Sequence, residues 1–306
     1  MKPSAGASPS LTAKTAVITG AGSGFGLEVA RIAAREGMNL VLVDLQQDAL
    51  DCCAAEMQAH GSTVLACRVD VSKSDEMEAL AYSVFTRFGA PHFVFNNAGV
   101  AFNGLVWEGS TADWEWVLGV NLWGVIHGIR LFTPMMLDAA RKNPAWTGHI
   151  VNTASMAGLA TPPNLGLYTT SKHAVVALSE TLYQDLALVT DQIHTSVLCP
   201  FFVPTGIHES ERNRLSNTPH DLTTSQRIGR AMMAQAVNQG TVSAAEVAAA
   251  VFSAIREQHF YIFSHPQTLH RVTERMQAIV AGHNPPDPFT SNPVVGEKLR
   301  HELRRC

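Results

Sequence analysis

The sequence predicts a doubly wound α/β protein, a parallel sheet of about seven strands with helices on both faces. Three observations carry this. Short β-branched and apolar runs alternate with longer amphipathic stretches along most of the 306 residues. The strand-like runs are apolar throughout, as strands covered on both faces must be. The first of them passes through a glycine-rich turn directly into a helix-like stretch.

Taken in order, Thr15 to Thr19 is a buried strand, followed by Thr19-Gly20-Ala21-Gly22-Ser23-Gly24-Phe25-Gly26 and a helix placed at 24–36. Asn39 to Val43 is the next strand, ending at Asp44, with a helix over 46–60. Strands are then expected near 63–69, 92–95, 147–153, 193–199 and 260–263, and helices near 74–88, 111–141, 166–189 and 243–258. Residues 201–240 lack a clear period at first and then turn helix-like, which reads as a lid over a substrate. Pro266 to Ala281 reads as one more helix and Asn284 to Pro293 as a proline-rich loop. The chain therefore divides into a small, polar, disordered lead-in (1–11), a catalytic domain (12–264) and a C-terminal extension (265–306) packed on the same domain.

With 46% hydrophobic residues and a net charge of −4, the chain can bury one large core and offers no nucleic-acid-binding surface. Val117 to Leu137 is long and apolar, but Asn121, His127, Arg130 and Pro134 would be costly in hydrocarbon, so it reads as a buried helix rather than a membrane span. Met1 to Leu11 lacks the apolar centre of a signal peptide. Five cysteines, at 52, 53, 67, 199 and 306, are odd in number and lack Cys-x-x-Cys spacing, which suits reduced thiols and a cytoplasmic location. Thirteen histidines show no ligand pattern; His208, His220, His265 and His270 read as surface or loop residues, and no metal is assigned.

The glycine turn points to a dinucleotide. Glycine at 20, 24 and 26 permits a sharp turn, close approach of backbone amides to a pyrophosphate and tight packing of helix on strand, with the helix N-terminus facing the negative charge. Asp44, at the end of the second strand, can accept hydrogen bonds from ribose hydroxyls and would repel a 2′-phosphate, so NAD is favoured over NADP. No Lys or Arg stands at Ser23, Leu45 or Gln46 to attract such a phosphate. The bland alternative is that Asp44 only caps the helix that follows.

Tyr168 and Lys172 lie four residues apart in a helix-like stretch, so phenol and ammonium share a face, with Ser155 thirteen residues upstream. Free tyrosine, with a pKa of about 10, is a poor base at neutral pH. One positive charge at roughly 4 Å in an effective dielectric near 20 supplies on the order of 4 kcal/mol, about three pKa units before desolvation. The expectation is a phenol made acidic by its neighbouring ammonium.

These motifs resemble the short-chain dehydrogenase/reductase family, of the compact single-domain kind, over roughly residues 12 to 263. The match comprises Thr19 to Gly26, Asp70-Val71 after the third strand, Asn96-Asn97-Ala98-Gly99 after the fourth, Asn121 in the long helix, and Ser155, Tyr168 and Lys172. The resemblance implies a Rossmann-like fold and catalysis by Asn121, Ser155, Tyr168 and Lys172, with Asn121 anchoring a water that relays the proton. It implies cofactor contacts from Gly20, Ser23, Gly24, Phe25, Gly26, Asp44, Asp70, Val71, Asn97, Ala98 and Gly99, and from Tyr168, Lys172, Pro200, Val203 and Thr205. It also implies a homodimer or homotetramer built on the long helix and the Tyr168 helix. One departure stands out: the family's Pro-Gly after the sixth strand is Pro200-Phe201 here, which leaves the course of that loop open.

The function expected is hydride transfer between NAD and a bulky apolar or aromatic secondary alcohol or ketone, with Tyr168 as general acid/base. Candidate lining residues are Phe102, Trp107, Met156, Leu159, Leu165, Phe201, Phe202 and Leu215, which favour such a substrate over a sugar or a charged acid. The tail with His265-Pro266 resembles bacterial relatives acting on lignin-derived aryl alcohols. An NADP-dependent carbonyl reductase is the alternative on the same site, and a non-catalytic dinucleotide sensor the alternative of another class. A sensor needs the glycine turn and Asp44 but no base. An enoyl reductase would space its tyrosine and lysine more widely.

Overall fold

The computed structural model describes residues 10–214, 221–290 and 292–304. Seven strands, β1 (Thr15–Thr19), β2 (Asn39–Asp44), β3 (Val64–Arg68), β4 (Phe93–Asn96), β5 (Gly148–Thr153), β6 (Ile193–Cys199) and β7 (Tyr261–Phe263), form one sheet in the order β3-β2-β1-β4-β5-β6-β7. Every pairing is parallel. The chain runs outward from β1 to β3, then returns to β4 on the other side of β1. That reversal opens a crevice at the carboxyl ends of β1 and β4, where ligands of such sheets bind.

Alternate residues of each strand feed opposite faces. Ile18, Leu40, Leu42 and Phe95 pack with α1 (Gly24–Arg35), α2 (Gln47–Ala59) and a later helix over Ala244–Glu257, in one buried cluster. Val17, Val41, Val94 and Ile150 pack on the other side with α3 (Ser74–Phe88) and with Phe132, Met136, Leu182 and Leu186. Phe95, Phe132 and Phe252 are among the largest fully buried side chains, each contributing roughly 1.5–3 kcal/mol of burial. The two-faced core explains why the strands read as continuous apolar runs. Among the described residues no helix is long and apolar enough to cross a membrane.

The single helix expected at 111–141 is three pieces. Helix α4 (Thr111–Leu118) gives way to a π-helical turn at Gly119–Trp123, and α5 (Gly124–Lys142) continues from it. Asn121 sits in the π turn, fully buried. Its amide grips the main chain of Val100, so the irregularity aims a side chain, a common use of such turns. Gly119 and Gly124 lie hard against Ser72 and Val71, with no room for a side chain without displacement. Nothing in the apolar periodicity of 111–141 marks this break.

Helix α6 (Gly166–Val189) carries Tyr168 and Lys172. After β6 the chain forms a 3-10 segment (Gly206–Asn213), then α7 (Thr224–Asn238), started by a Thr223/Gln226 capping box, and α8 (Ala244–Glu257). Beyond β7 come α9 (His270–Val280) and α10 (Pro293–Leu303). Helix α10 was not expected; Asn292 as N-cap before Pro293 at the first turn is the signal for it. Leu11, assigned to the lead-in, packs against the core. Leu215, His220, Cys306 and residues 1–9 of the lead-in lie outside the described residues.

Candidate active site

The glycine turn joins β1 to α1. Gly20 and Gly24 have φ of +67° and +53°, a region open to glycine but strained for other residues. A Cβ at Gly26 would overlap the Gly20 carbonyl oxygen, so Gly26 lets helix and turn close on each other. Ser23 is the N-cap of α1 but its side chain makes no capping bond, and the first turn holds no acidic residue. The first α1 amides, lacking intrahelical partners, are left to receive an anion.

Asp44 stands beside this turn. One carboxylate oxygen accepts from the Gly22 N–H (2.9 Å) and the other from the Gln46 N–H (2.9 Å). The N-cap of α2 is Gln46, so Asp44 forms a turn before the helix rather than capping it. Each oxygen keeps a second lone pair for a ribose hydroxyl. On the other side of the crevice, the Thr19 hydroxyl accepts from the N–H groups of Asn97 (2.8 Å) and Ala98 (3.0 Å), locking the end of β4 to β1.

The reactive end lies across β5 and α6. The Lys172 ammonium, 3% exposed as a residue, donates to the Thr153 carbonyl at 2.8 Å and sits 5.6 Å from the Tyr168 ring centre. Ser155 caps the 3-10 turn Met156–Gly158; its oxygen accepts from the Ala157 N–H (3.1 Å) and lies 3.4 Å from the Pro200 carbonyl. Asn121 accepts from Val100 N–H (2.8 Å) and donates to the Val100 carbonyl (2.9 Å) and the Ser171 hydroxyl (3.0 Å). A Cβ at Gly99 would sit 3.4 Å from the Asn121 oxygen and 3.6 Å from the Lys172 nitrogen, so the Asn-Asn-Ala-Gly turn passes directly over both.

The expected acidic phenol is not what this arrangement produces. Burial pushes the Tyr168 hydroxyl up to about 12, against the pull of the Ser155 hydroxyl. Burial likewise brings Lys172 down to about 8. Both groups lose water, and the ammonium recovers one hydrogen bond, to Thr153, so desolvation exceeds the attraction between them. A phenolate here needs positive charge beyond Lys172.

A crevice of about 500 Å³ brings together Gly20, Ser23, Gly24, Phe25, Asp44, Asn97, Gly99, Ser155, Tyr168, Lys172, Pro200, Val203 and Thr205. Gly26 and Ala98 stand behind it as packing, and Asn121 acts from beneath. Asp70 and Val71 are not on its wall: Asp70 accepts from the Ser72 N–H (3.0 Å) and hydroxyl (2.7 Å), and Val71 is buried against Gly124. Phe201 has no left-handed backbone angle, so the loop accommodates it without the strain that a glycine would relieve. Val203 and Thr205 reach the crevice, Thr205 within 3.4 Å of a Cβ placed on Gly24.

Of the expected substrate wall, Met156, Leu165, Phe201 and Phe202 line the crevice. Phe102 does not; it is buried with Val100, Val117 and Leu167 in a separate cluster. Trp107 is 77% exposed, and Leu159 packs into the cluster around Val125 and Val176. Spacing alone could not separate these apolar residues by neighbour. Missed were Met233 and Val237 from α7, and Arg212 on the 3-10 segment, whose backbone carbonyl accepts from the Gln46 side chain (3.2 Å). The extension also contributes His270, Arg271, Glu274 and Arg275. The signal for the last group was an Arg pair at i,i+4 on the expected terminal helix.

A family model described as short chain dehydrogenase matches residues 14–216. The chain belongs to the short-chain dehydrogenase/reductase family. It is 31% identical over 277 residues to a CLA biosynthesis dehydrogenase/reductase of Lactiplantibacillus plantarum, covering 89% of this chain and 95% of that one. It is 31% identical over 274 residues to the 1-deoxy-11-beta-hydroxypentalenate dehydrogenase of Streptomyces avermitilis, covering 88% and 91%. A short-chain dehydrogenase/reductase from Burkholderia phymatum, solved in complex with NAD, superposes with a TM-score of 0.89 at 45% identity, covering 92% of this chain and 99% of that one. This short-chain dehydrogenase/reductase is thus an oxidoreductase with a Rossmann-like nicotinamide site, and the glycine turn, uncapped α1 amides and Asp44 fit such a cofactor.

Proposed function

We propose that this protein is an NAD-dependent oxidoreductase that interconverts a bulky apolar or aromatic secondary alcohol and its ketone. The observation that carries the reading is one crevice with the glycine turn and Asp44 at one end and Ser155, Tyr168 and Lys172 at the other. Beyond them, Met156, Leu165, Met233, Val237 and Phe202 give an apolar wall. A relative named for a hydroxypentalenate dehydrogenase lends support to a hydroxylated substrate.

The nicotinamide, when bound, accepts or gives the hydride. Gly20, Gly24 and the α1 N-terminus would hold its pyrophosphate, Asp44 the adenosine ribose, and Tyr168 with Lys172 the nicotinamide ribose. In the oxidative direction Tyr168 takes the proton of the substrate hydroxyl, while Ser155 hydrogen-bonds the same oxygen and steadies it as a carbonyl forms. Lys172, together with the positive charge that an oxidised nicotinamide would bring, would stabilise the phenolate, and Asn121, held by Val100 and Ser171, fixes the backbone over Lys172 and anchors the outward relay. We further infer a homodimer or homotetramer; Trp123 in the π turn and Tyr183 on α6 are exposed large apolar side chains beside the helices such a contact would use, and light scattering in solution tests it.

A spectrophotometric screen of apolar and aromatic secondary alcohols with NAD, and of their ketones with NADH, tests the reaction. Turnover with at least one pair is expected. NADH binding without turnover across the panel would favour a dinucleotide sensor instead.

A further inference from the structure

Arg271 and Arg275 lie one helical turn apart on α9, so their guanidiniums leave the same face, and both line the crevice. The Arg271 guanidinium lies over the Phe201 ring, 5.8 Å from its centre. That of Arg275 reaches the Leu159 carbonyl through one long contact of 3.5 Å. Leu159 follows β5 and Phe201 follows β6, so the two cations overhang the loops that carry Ser155 and Pro200. They belong to the substrate end, away from Asp44.

Among the described residues neither guanidinium meets a carboxylate at ion-pair distance, and Asp287, on the same rim, is already held by Arg300 at 2.8 Å. Glu274 shares their helix face. Two arginines against one glutamate leave a single positive charge, suited to a monoanion rather than a doubly charged phosphate. Below this rim the wall is hydrocarbon: Met156, Leu165, Met233 and Val237.

Resting on the oxidoreductase reading above, but against the sequence's preference for an uncharged substrate, which did not count the α9 arginines, we propose that the substrate's apolar body carries a carboxylate remote from the reacting carbon, and that Arg271 and Arg275 receive it. Two planar, fork-shaped donors favour a carboxylate in paired hydrogen bonds. Phe201 gains a purpose that glycine could not serve. Its ring lies edge-on to His265 at 5.7 Å and beneath Arg271, holding the guanidinium at the rim.

The test compares a mid-chain hydroxyoctadecanoic acid with its methyl ester, whose flexible chain lets the terminal group reach either arginine. In the wild-type enzyme with NAD, kcat/KM for the acid should exceed that for the ester at least about tenfold, the effect of one charge-assisted hydrogen bond. In Arg271→Gln/Arg275→Gln that ratio should fall toward one, with the loss in KM rather than kcat. Lysine at both positions should retain part of the preference. A ratio near one in the wild type, or one unmoved by the double substitution, overturns the inference, while ester oxidation itself keeps the oxidoreductase reading intact. Failure to oxidise acid, ester and every alcohol of the screen would overturn that reading and this inference together. Should the double variant melt early, Glu274→Gln gives a test of opposite sign: the acid preference should rise, and a fall or no change refutes the assignment.

Discussion

The floor of the crevice and its walls are built by different means. On the floor, functional side chains are tied to main-chain atoms: Lys172 to the Thr153 carbonyl, Asn121 to both polar groups of Val100, Asp44 to the amides of Gly22 and Gln46. The segments that carry wall residues, namely the 3-10 segment, α7 and the extension, are also held by ion pairs between side chains. Arg214 pairs with Asp113 at 2.7 Å, Arg230 with Glu211 at 2.8 Å, and Arg300 with Asp287 at 2.8 Å. Main-chain anchors cannot be changed by substitution of the anchor, whereas each wall pair can be replaced one residue at a time. The floor therefore sets the chemistry, and the walls are free to set what enters.

Substitutions in the two regions should separate accordingly. Tyr168→Phe removes only the transferable proton, and turnover should fall by about 10²- to 10⁴-fold, the usual worth of a positioned acid or base, while NADH binding, followed by fluorescence, persists. A variant keeping more than about a tenth of the rate would break the assignment. The counterpart behind the wall is Asp113→Asn, which takes one of two carboxylates from Arg214 and leaves it stacked on Trp116 (4.2 Å) and paired with Glu211 (3.2 Å). Loss of a charge-assisted hydrogen bond costs about 1.5–3 kcal/mol, so the thermal midpoint should drop and KM for the alcohol should rise more than kcat falls. Burial acts to raise the Asp113 pKa, but hydrogen bonds from Ser110 and the Arg214 guanidinium hold it below its ordinary 3.8. The pair's stabilisation is accordingly present above pH 3.8 and lost as pH falls through the lowered value. Equal midpoints for wild type and variant at neutral pH would refute it.

The same division decides what the sequence could disclose. The five central strands were legible because they are buried on both faces, and the glycine turn because Gly26 has no space for a side chain. Residues of the floor follow the chain's own order, one strand end after another. The π turn at Gly119–Trp123 was hidden, since an inserted residue leaves apolar spacing nearly unchanged. The walls were hidden for a different reason. Phe102 and Met233 are equally apolar in sequence, yet one packs with Val100 and the other faces the crevice, a distinction set by α7 packing against Ala157, Leu165 and Phe202. The family match ends at residue 216, before that helix begins.

Lys172 sharpens the comparison from the side of stability. Its folded pKa of about 8 lies below the ordinary 10.5 because burial disfavours the charge. Below pH 8 the residue is protonated folded and unfolded alike, and the fold bears the full cost, about 3 kcal/mol for a shift of this size. Between pH 8 and 10.5 the unfolded chain binds more protons, so wild-type stability rises with pH. Lys172→Met should thus be inactive yet more stable at pH 7 by about 2 kcal/mol, once roughly 1 kcal/mol is subtracted for the unpartnered Thr153 carbonyl. The advantage should shrink through that window in denaturant titrations. A variant less stable than wild type at pH 7 would mean that the ammonium supports the fold as well as the chemistry.

The smallest effect lies where floor and wall meet. Asp44 belongs to the sheet, but Arg212, delivered by the 3-10 segment, lines the same crevice, its guanidinium bound to the Gly206 carbonyl at 2.8 Å and to Glu209 at 3.3 Å. The carboxylate repels a 2′-phosphate while the guanidinium stands ready to attract one. Asp44→Ala should therefore narrow the proposed preference for NAD over NADP by about tenfold, corresponding to about 1.4 kcal/mol, and adding Arg212→Gln should take back most of the gain with NADP. If the single variant leaves the kcat/KM ratio unchanged, cofactor choice is not set by Asp44. If the second substitution recovers nothing, the arginine's hold on Gly206 and Glu209 outweighs its attraction for phosphate, and discrimination rests on the floor alone.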